Sequence, residues 1–205
     1  MKKKTESPSH FVYFPLDVNF WAERLPETAT ARPSCCPSCN HPGQTADGRV
    51  VLHGHGVRVR KLRGPRRADG EPDEFEVPVR RYACQACGAI ITVGPRGLLP
   101  RRRYTAQAIA LALWLWAVWL KPDPEVRRAT SPIADHGVSR PERWPTLRRW
   151  GRAAGLGGLW SSSPAVESGW SLRRCAERIA LWLGSLGDPE TPATHRVFDA
   201  AAHAR

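Results

Sequence analysis

Cys36-Pro37-Ser38-Cys39 and Cys84-Gln85-Ala86-Cys87 have the same spacing and are separated by 44 residues. Two residues between thiols let one tight turn aim both sulfurs at a single metal about 2.3 Å away. Pro37 fixes its φ and Gly88 permits φ > 0, and both suit such a turn. In a chain that opens without a secretory signal, paired C-x-x-C motifs point to a tetrahedral four-sulfur site rather than to disulfides. The expected cofactor is one zinc ion held by Cys36, Cys39, Cys84 and Cys87, a closed set that folds its module and does no chemistry. Cys35 is an alternative to Cys36 through the wider Cys35-x3-Cys39 spacing. His41, His53 and His55 are further substitutes, although histidines beside strands are commonly solvated.

The gap between the motifs exceeds the roughly 15–20 residues of compact zinc sites. It is tolerable only if the insert is a hairpin that brings the chain back to its start. The residues read that way. Val50-Val51-Leu52 and Val57-Arg58-Val59-Arg60 are rich in strand formers, and Phe75, Val77 and Val79 alternate with Glu74, Glu76 and Arg80. Between them, residues 64–73 form a polar, turn-rich loop. The expected layout is therefore a zinc ribbon over residues 35–104, preceded by an N-terminal arm over 1–34.

The chain has 205 residues and a formal net charge of +12, and that excess is localised. Residues 1–48 and 156–205 each balance five basic against five acidic residues, whereas 49–104 carry +8 and 121–155 carry +4. Two local blocks of excess arginine fit a surface for polyanions. In the first block, Arg58 and Arg60 share one strand face, with Leu62 in line and Val57 and Val59 on the other face. Arg63, Arg80, Arg81, Arg101, Arg102 and Arg103 join them as candidate phosphate contacts, because planar guanidinium forks match phosphate oxygens. Arg66 and Arg67 are expected to be compensated by Asp69, Glu71 and Asp73.

Residues 106–120 are uncharged, and Tyr104-Thr105 opens a helix that is apolar nearly all round. At fifteen residues it would cover about 22 Å, short of the roughly 30 Å hydrocarbon core, so a buried helix is expected and no membrane partner. Trp114, Trp116 and Trp119 read as core, and Lys121-Pro122-Asp123-Pro124 ends the helix. The second basic block reads as a helix-turn-helix. Ser131 is its N-cap, Gly137 its turn, and Ser139 the cap of the next helix. Pro145 would kink a helix begun at Ser139, so the second helix starts at either of these two positions. Leu147 and Trp150 are spaced to face inward. Arg140, Arg143, Thr146, Arg148, Arg149 and Arg152 are the candidate DNA contacts of this block.

The run Ala134-x-x-Gly137-Val138-Ser139 followed by Thr146-Leu147-Arg148-Arg149-Trp150 resembles the helix-turn-helix of bacterial insertion-sequence transposases and their stand-alone relatives. The cysteine half is similar too: Cys36-x-x-Cys39, Leu52-His53-Gly54-His55-Gly56, Arg80-Arg81-Tyr82-x-Cys84-x-x-Cys87, then Leu99-Pro100-Arg101-Arg102-Arg103-Tyr104. The resemblance covers about residues 35–152 and implies a binder of double-stranded DNA linked to transposition. It departs from the family in two ways. Six residues, Arg140 to Pro145, separate the Ser from the Thr where the family has about two, and no three-carboxylate catalytic domain follows.

The fold class expected is α+β: a zinc-ribbon hairpin module, then a helical bundle over 105–155, then a linker, amphipathic helix and tail over 156–205. Leu172, Cys175, Ala176, Ile179, Leu183 and Leu186 form one stripe that packs on the bundle or on a second copy of the chain. The tail from Thr191 onward and the arm up to about Ser9 read as weakly ordered. No catalytic constellation is legible, so a non-enzymatic, cytoplasmic, nucleoid-associated DNA-binding protein is expected, as a transposition accessory or a regulator. A truncated transposase, and an adaptor recruiting a transposase or other DNA-processing protein, remain the alternatives.

Overall fold

The computed structural model describes residues 9–133 and 143–204. Its described elements are mixed α+β: β1 (Ser9–Asp17), α1 (Val18–Glu23), β2 (Leu52–Pro65), β3 (Pro72–Cys84), β4 (Ile90–Arg96), α2 (Ala106–Ala117), α3 (Asp123–Thr130), α4 (Pro145–Gly155), α5 (Leu172–Ser185) and α6 (Ala193–His203). Among the described residues no helix is long and apolar enough to cross a membrane. The chain divides into two units, Met1–Arg60 with Glu76–Arg96 and Lys61–Phe75 with Gly97–Arg205.

In the first unit, strand alternation does what the sequence pattern dictates. Val77, Val79 and Tyr82 on β3 and Ile91 and Val93 on β4 are buried, and Pro78, Arg80, Arg81 and Thr92 between them are half-buried. The four strands are ordered β1-β4-β3-β2. β3 runs antiparallel to β4, with Arg80 opposite Val93 and Ala83 opposite Ile90. β1 runs parallel to β4, so the aromatic stretch from Phe11, within the expected N-terminal arm, is a strand of the sheet. Asp17 caps α1 by accepting from the Asn19 N–H at 2.8 Å, and this places the buried Trp21 under the sheet, where its Nε1 donates to the Pro78 carbonyl.

In the second unit, α2 is the centre. Thr105 caps it by accepting from the Ala108 N–H at 3.0 Å, and every residue from Ala106 to Trp114 is buried. Its alanines at 106, 108, 110 and 112 let other helices come close, and α3, α4, α5 and α6 all pack against it. The helix stops at Ala117, and Leu120 turns back with φ 54°. Trp119, expected in the core, is consequently 51% exposed.

Two further expectations are corrected here. The segment after α2 is not only a terminator: Pro122 is the N-cap of α3, with Asp123 and Glu125 in its first turn. The tail is not loose either. It forms α6, whose Val197 and Ala201 are buried, and Trp160 in the preceding Gly/Ser-rich stretch donates from Nε1 to the Ala201 carbonyl at 3.1 Å. An alanine stripe buries little area per residue, so it is a weak signal in sequence even where it packs tightly.

Candidate metal centre and basic surfaces

The two C-x-x-C turns fold alike. In each, the first Cys donates its N–H to the carbonyl five residues on: Cys36 to His41 at 2.8 Å and Cys84 to Ala89 at 3.0 Å. In each, the residue after the second Cys donates back to the first Cys carbonyl: Asn40 to Cys36 at 2.9 Å and Gly88 to Cys84 at 2.8 Å. That closing residue lies in the left-handed region in both, Asn40 at φ 58° and Gly88 at φ 73°. Asparagine is among the few side-chain-bearing residues that tolerate this region, so Asn40 does in the first turn what Gly88 does in the second. The Gln85 N–H donates to the Val51 carbonyl at 3.0 Å, tying the second turn to the chain that leaves the first.

The hairpin of β2 and β3 brings the turns together. The four sulfurs of Cys36, Cys39, Cys84 and Cys87 all lie within 4.8 Å of one another. Cys36 and Cys87 Sγ are 3.7 Å apart, and Cys39 and Cys84 Sγ are 3.8 Å apart. A regular tetrahedron of sulfurs about 2.3 Å from its centre has edges of about 3.8 Å, so the set fits a tetrahedral metal ion and can hold one. Cys36, and not the exposed Cys35, supplies the first thiol. His41, His53 and His55 are outside the set, and His53 Nε2 instead meets the Val50 carbonyl at 2.9 Å. Cys175 is buried in the helical unit as a core residue.

The thiols are electrostatically unequal. The His41 N–H lowers Cys39, but desolvation and the three neighbouring thiols outweigh it, and Cys39 is pushed up to about 12. The Ala89 N–H, aided by the same kind of thiol contacts, draws Cys87 down to about 7. A thiol drawn down toward neutrality more readily gives the thiolate that a metal ion binds.

The candidate phosphate ligands fall into two groups. Some are occupied within the fold. Arg80 donates from Nε to the Pro26 carbonyl and from Nη1 to Thr28 Oγ1 at 2.9 Å, while Tyr82 donates to the Thr28 carbonyl at 2.8 Å, so Arg80 braces the 26–28 loop on β3. Arg63 pairs with Glu74 at 2.7 Å. Arg148 pairs with Asp123, a buried carboxylate that also accepts the Trp144 N–H at 2.8 Å. These three side chains have structural roles first. Arg66 and Arg67 are compensated as expected, by Asp73 at 4.0 Å and Asp69 at 3.8 Å.

The others are exposed or half-buried. Arg58 is exposed on β2, and burial together with the neighbouring Arg58 charge holds the Arg60 guanidinium below its ordinary value. Val57 and Val59 on the opposite face are also exposed, on the outer strand of the sheet, where residues 53–59 are exposed. Arg81 is half-buried opposite Thr92. Arg101 and Arg103 are exposed and Arg102 is half-buried, in a run held beside the end of β2 by the Arg63 N–H donating to the Arg103 carbonyl at 2.7 Å.

Residues 134–142, which carry the first helix and turn of the expected helix-turn-helix and Arg140, lie outside the described residues. Ser131 is the extended residue that follows α3, and the helix it is expected to cap lies outside the described residues. The Ser131 Oγ shares a hydrogen bond with the Tyr104 hydroxyl at 2.8 Å and accepts from the Ile133 N–H at 3.3 Å. Of the two starts open for the second helix, the described one is Pro145, at the first turn of α4. Leu147 and Trp150 face inward, Arg143, Arg149 and Arg152 face solvent, and Thr146 Oγ1 accepts from Arg149 Nη2 at 2.9 Å. Sequence reasoning misses the role of Asp123. The Pro-Asp-Pro-Glu start of α3 is the signal that could reveal it. Neither a family model, nor a curated protein, nor a solved structure matches the chain.

Proposed function

We propose that this protein is a non-catalytic, zinc-stabilised binder of double-stranded DNA, an accessory of transposition or a regulator. The observation that carries the reading is the four-thiol cluster at the root of a hairpin whose outer strand displays Arg58 to solvent. An all-thiolate tetrahedral set favours zinc or iron, and with four protein ligands it has no open position for catalysis. Zinc bound there would supply folding energy to the first unit. The solvent-facing guanidinium groups of Arg58, Arg101, Arg103, Arg143, Arg149 and Arg152 supply the phosphate contacts. The test is in-vitro selection of duplex DNA by purified protein, with metal content measured on the same sample. About one zinc per chain and affinity that falls steeply with salt are expected. Metal-free protein, or binding indifferent to salt, overturns the reading.

A second reading, an adaptor that recruits a transposase or another DNA-processing protein, is favoured by one feature. β2 is an outer strand with Val57 48% and Val59 52% exposed, a geometry that accepts an added strand from a partner or from a second copy. Selection that yields no enriched duplex, with a stable protein complex instead, favours it.

A further inference from the structure

The C-terminal quarter of the chain balances its own charge, yet folding of the helical unit sets one part of it beside the second basic block. Gly151 is the residue that permits this. A Cβ there would lie 3.2 Å from the Leu172 carbonyl oxygen and 3.3 Å from the Trp116 ring, and one turn on, Gly155 lies as close to Cys175. Successive turns of α4 therefore meet successive turns of α5 at a separation where an added Cβ would be tighter than most side-chain contacts. This brings Arg173 of α5 and Arg148 of α4 onto the same aromatic ring, Trp116 of α2, at 5.1 and 5.9 Å from its centroid. Arg174, the next residue, lies 4.4 Å over the Trp170 ring, which Glu167 holds by accepting from its Nε1 at 2.9 Å.

The charges that meet at Trp116 are not equivalent. Arg148 is neutralised by Asp123. Arg149, Arg152, Arg173 and Arg174 are exposed and have no acidic partner at ion-pair distance among the described residues. An aromatic face fixes the plane of a guanidinium and leaves the N–H fork at its edge directed outward, which is the preparation that bidentate phosphate contact needs.

We propose that the first turn of α5 completes the polyanion surface of the helical unit, with Arg173 and Arg174, stacked on Trp116 and Trp170, gripping backbone phosphates of the nucleic acid that Arg149 and Arg152 of α4 contact. The proposal rests on the DNA-binding reading above and adds to it a phosphate site supplied by a segment of zero net charge. Such contacts carry affinity and orientation and no sequence preference.

The experiment uses the full-length protein and a short fluorescent duplex of mixed sequence, with affinity measured across a salt series. Three proteins are compared: wild type, Arg173→Gln with Arg174→Gln, and Arg149→Gln with Arg152→Gln. Glutamine retains most of each stem, so the fold is retained, and melting curves verify it. Each lost phosphate contact should lower the salt slope by about one, so each double variant should lose about two and bind about tenfold or more weakly at low salt. A wild type that binds steeply, with the α4 pair flattening the slope and the α5 pair leaving it unchanged, overturns this proposal alone. A wild type that does not bind the duplex even at low salt overturns the DNA-binding reading and the α5 site with it.

Discussion

The two units solve the problem of burial differently. The helical unit has an ordinary apolar core in which Tyr104, Trp144 and Trp150 meet edge to face at 4.8–6.2 Å and Leu113, Leu147, Ile179 and Leu183 are fully buried. The sheet unit buries one side of β3 and β4, but from His53 to Val59 its outer strand is exposed on both faces. What closes that unit at the cysteine end is two turns holding four thiols, and thiols packed at 3.7–3.8 Å are a poor apolar core on their own. The difference predicts that a metal ion held by the four thiols would stabilise the sheet unit and not the helical one.

The largest expected effect tests that directly. Metal removal by a chelator, or Cys84→Ser, should abolish ordered folding of the sheet unit, because structural zinc contributes on the order of 10 kcal/mol to small modules. Helical circular dichroism should persist, since all described helices longer than α1 belong to the other unit. Loss of the signal in one cooperative step with the metal would break the comparison.

Next in size is Trp150→Ala. Trp150 is 3% exposed, and truncating a buried tryptophan costs about 3–5 kcal/mol through lost contacts and the cavity left behind. Melting of the helical unit should shift down while the metal content stays at its wild-type value. A variant that also loses its metal would show that the units share one stability.

How much of this is legible in the sequence depends on the kind of signal. The thiol spacing is strong enough to identify all four members of the cluster and the hairpin that unites them, because ligand geometry restricts which residues can serve. α2 and the stripe of α5 follow from periodicity. α3 reads as a helix stop because prolines break helix interiors, although both of its prolines fall at the N-terminal edge, where a missing N–H costs nothing. Charge counted along the chain locates two basic blocks but cannot show that Asp123 cancels Arg148, or that Arg173 reaches Trp116. Both are products of helix packing. Asn40, which stands where the other turn has glycine, carries the right signal in its rare tolerance of positive φ.

The smallest expected effect concerns an ion pair within the hairpin tip. Arg63 pairs with Glu74 at 2.7 Å, and the hydrogen bond from Arg63, with the Arg63, Lys61 and Arg103 charges, holds the Glu74 carboxyl below its ordinary value of 4.5. A carboxyl depressed on folding stabilises the fold above its unfolded value, and that contribution is lost as pH falls through the folded value. Glu74→Gln should therefore lower the melting temperature slightly at neutral pH, and the gap from wild type should close in acid, below the usual carboxylate range. Added salt should narrow the gap at neutral pH, because both partners reach solvent. A gap that is the same at every pH would mean that Glu74 acts by shape and not by charge. The tip would then depend on the cation–π contact of Arg66 over the buried Phe75, at 4.4 Å, and not on its ion pair.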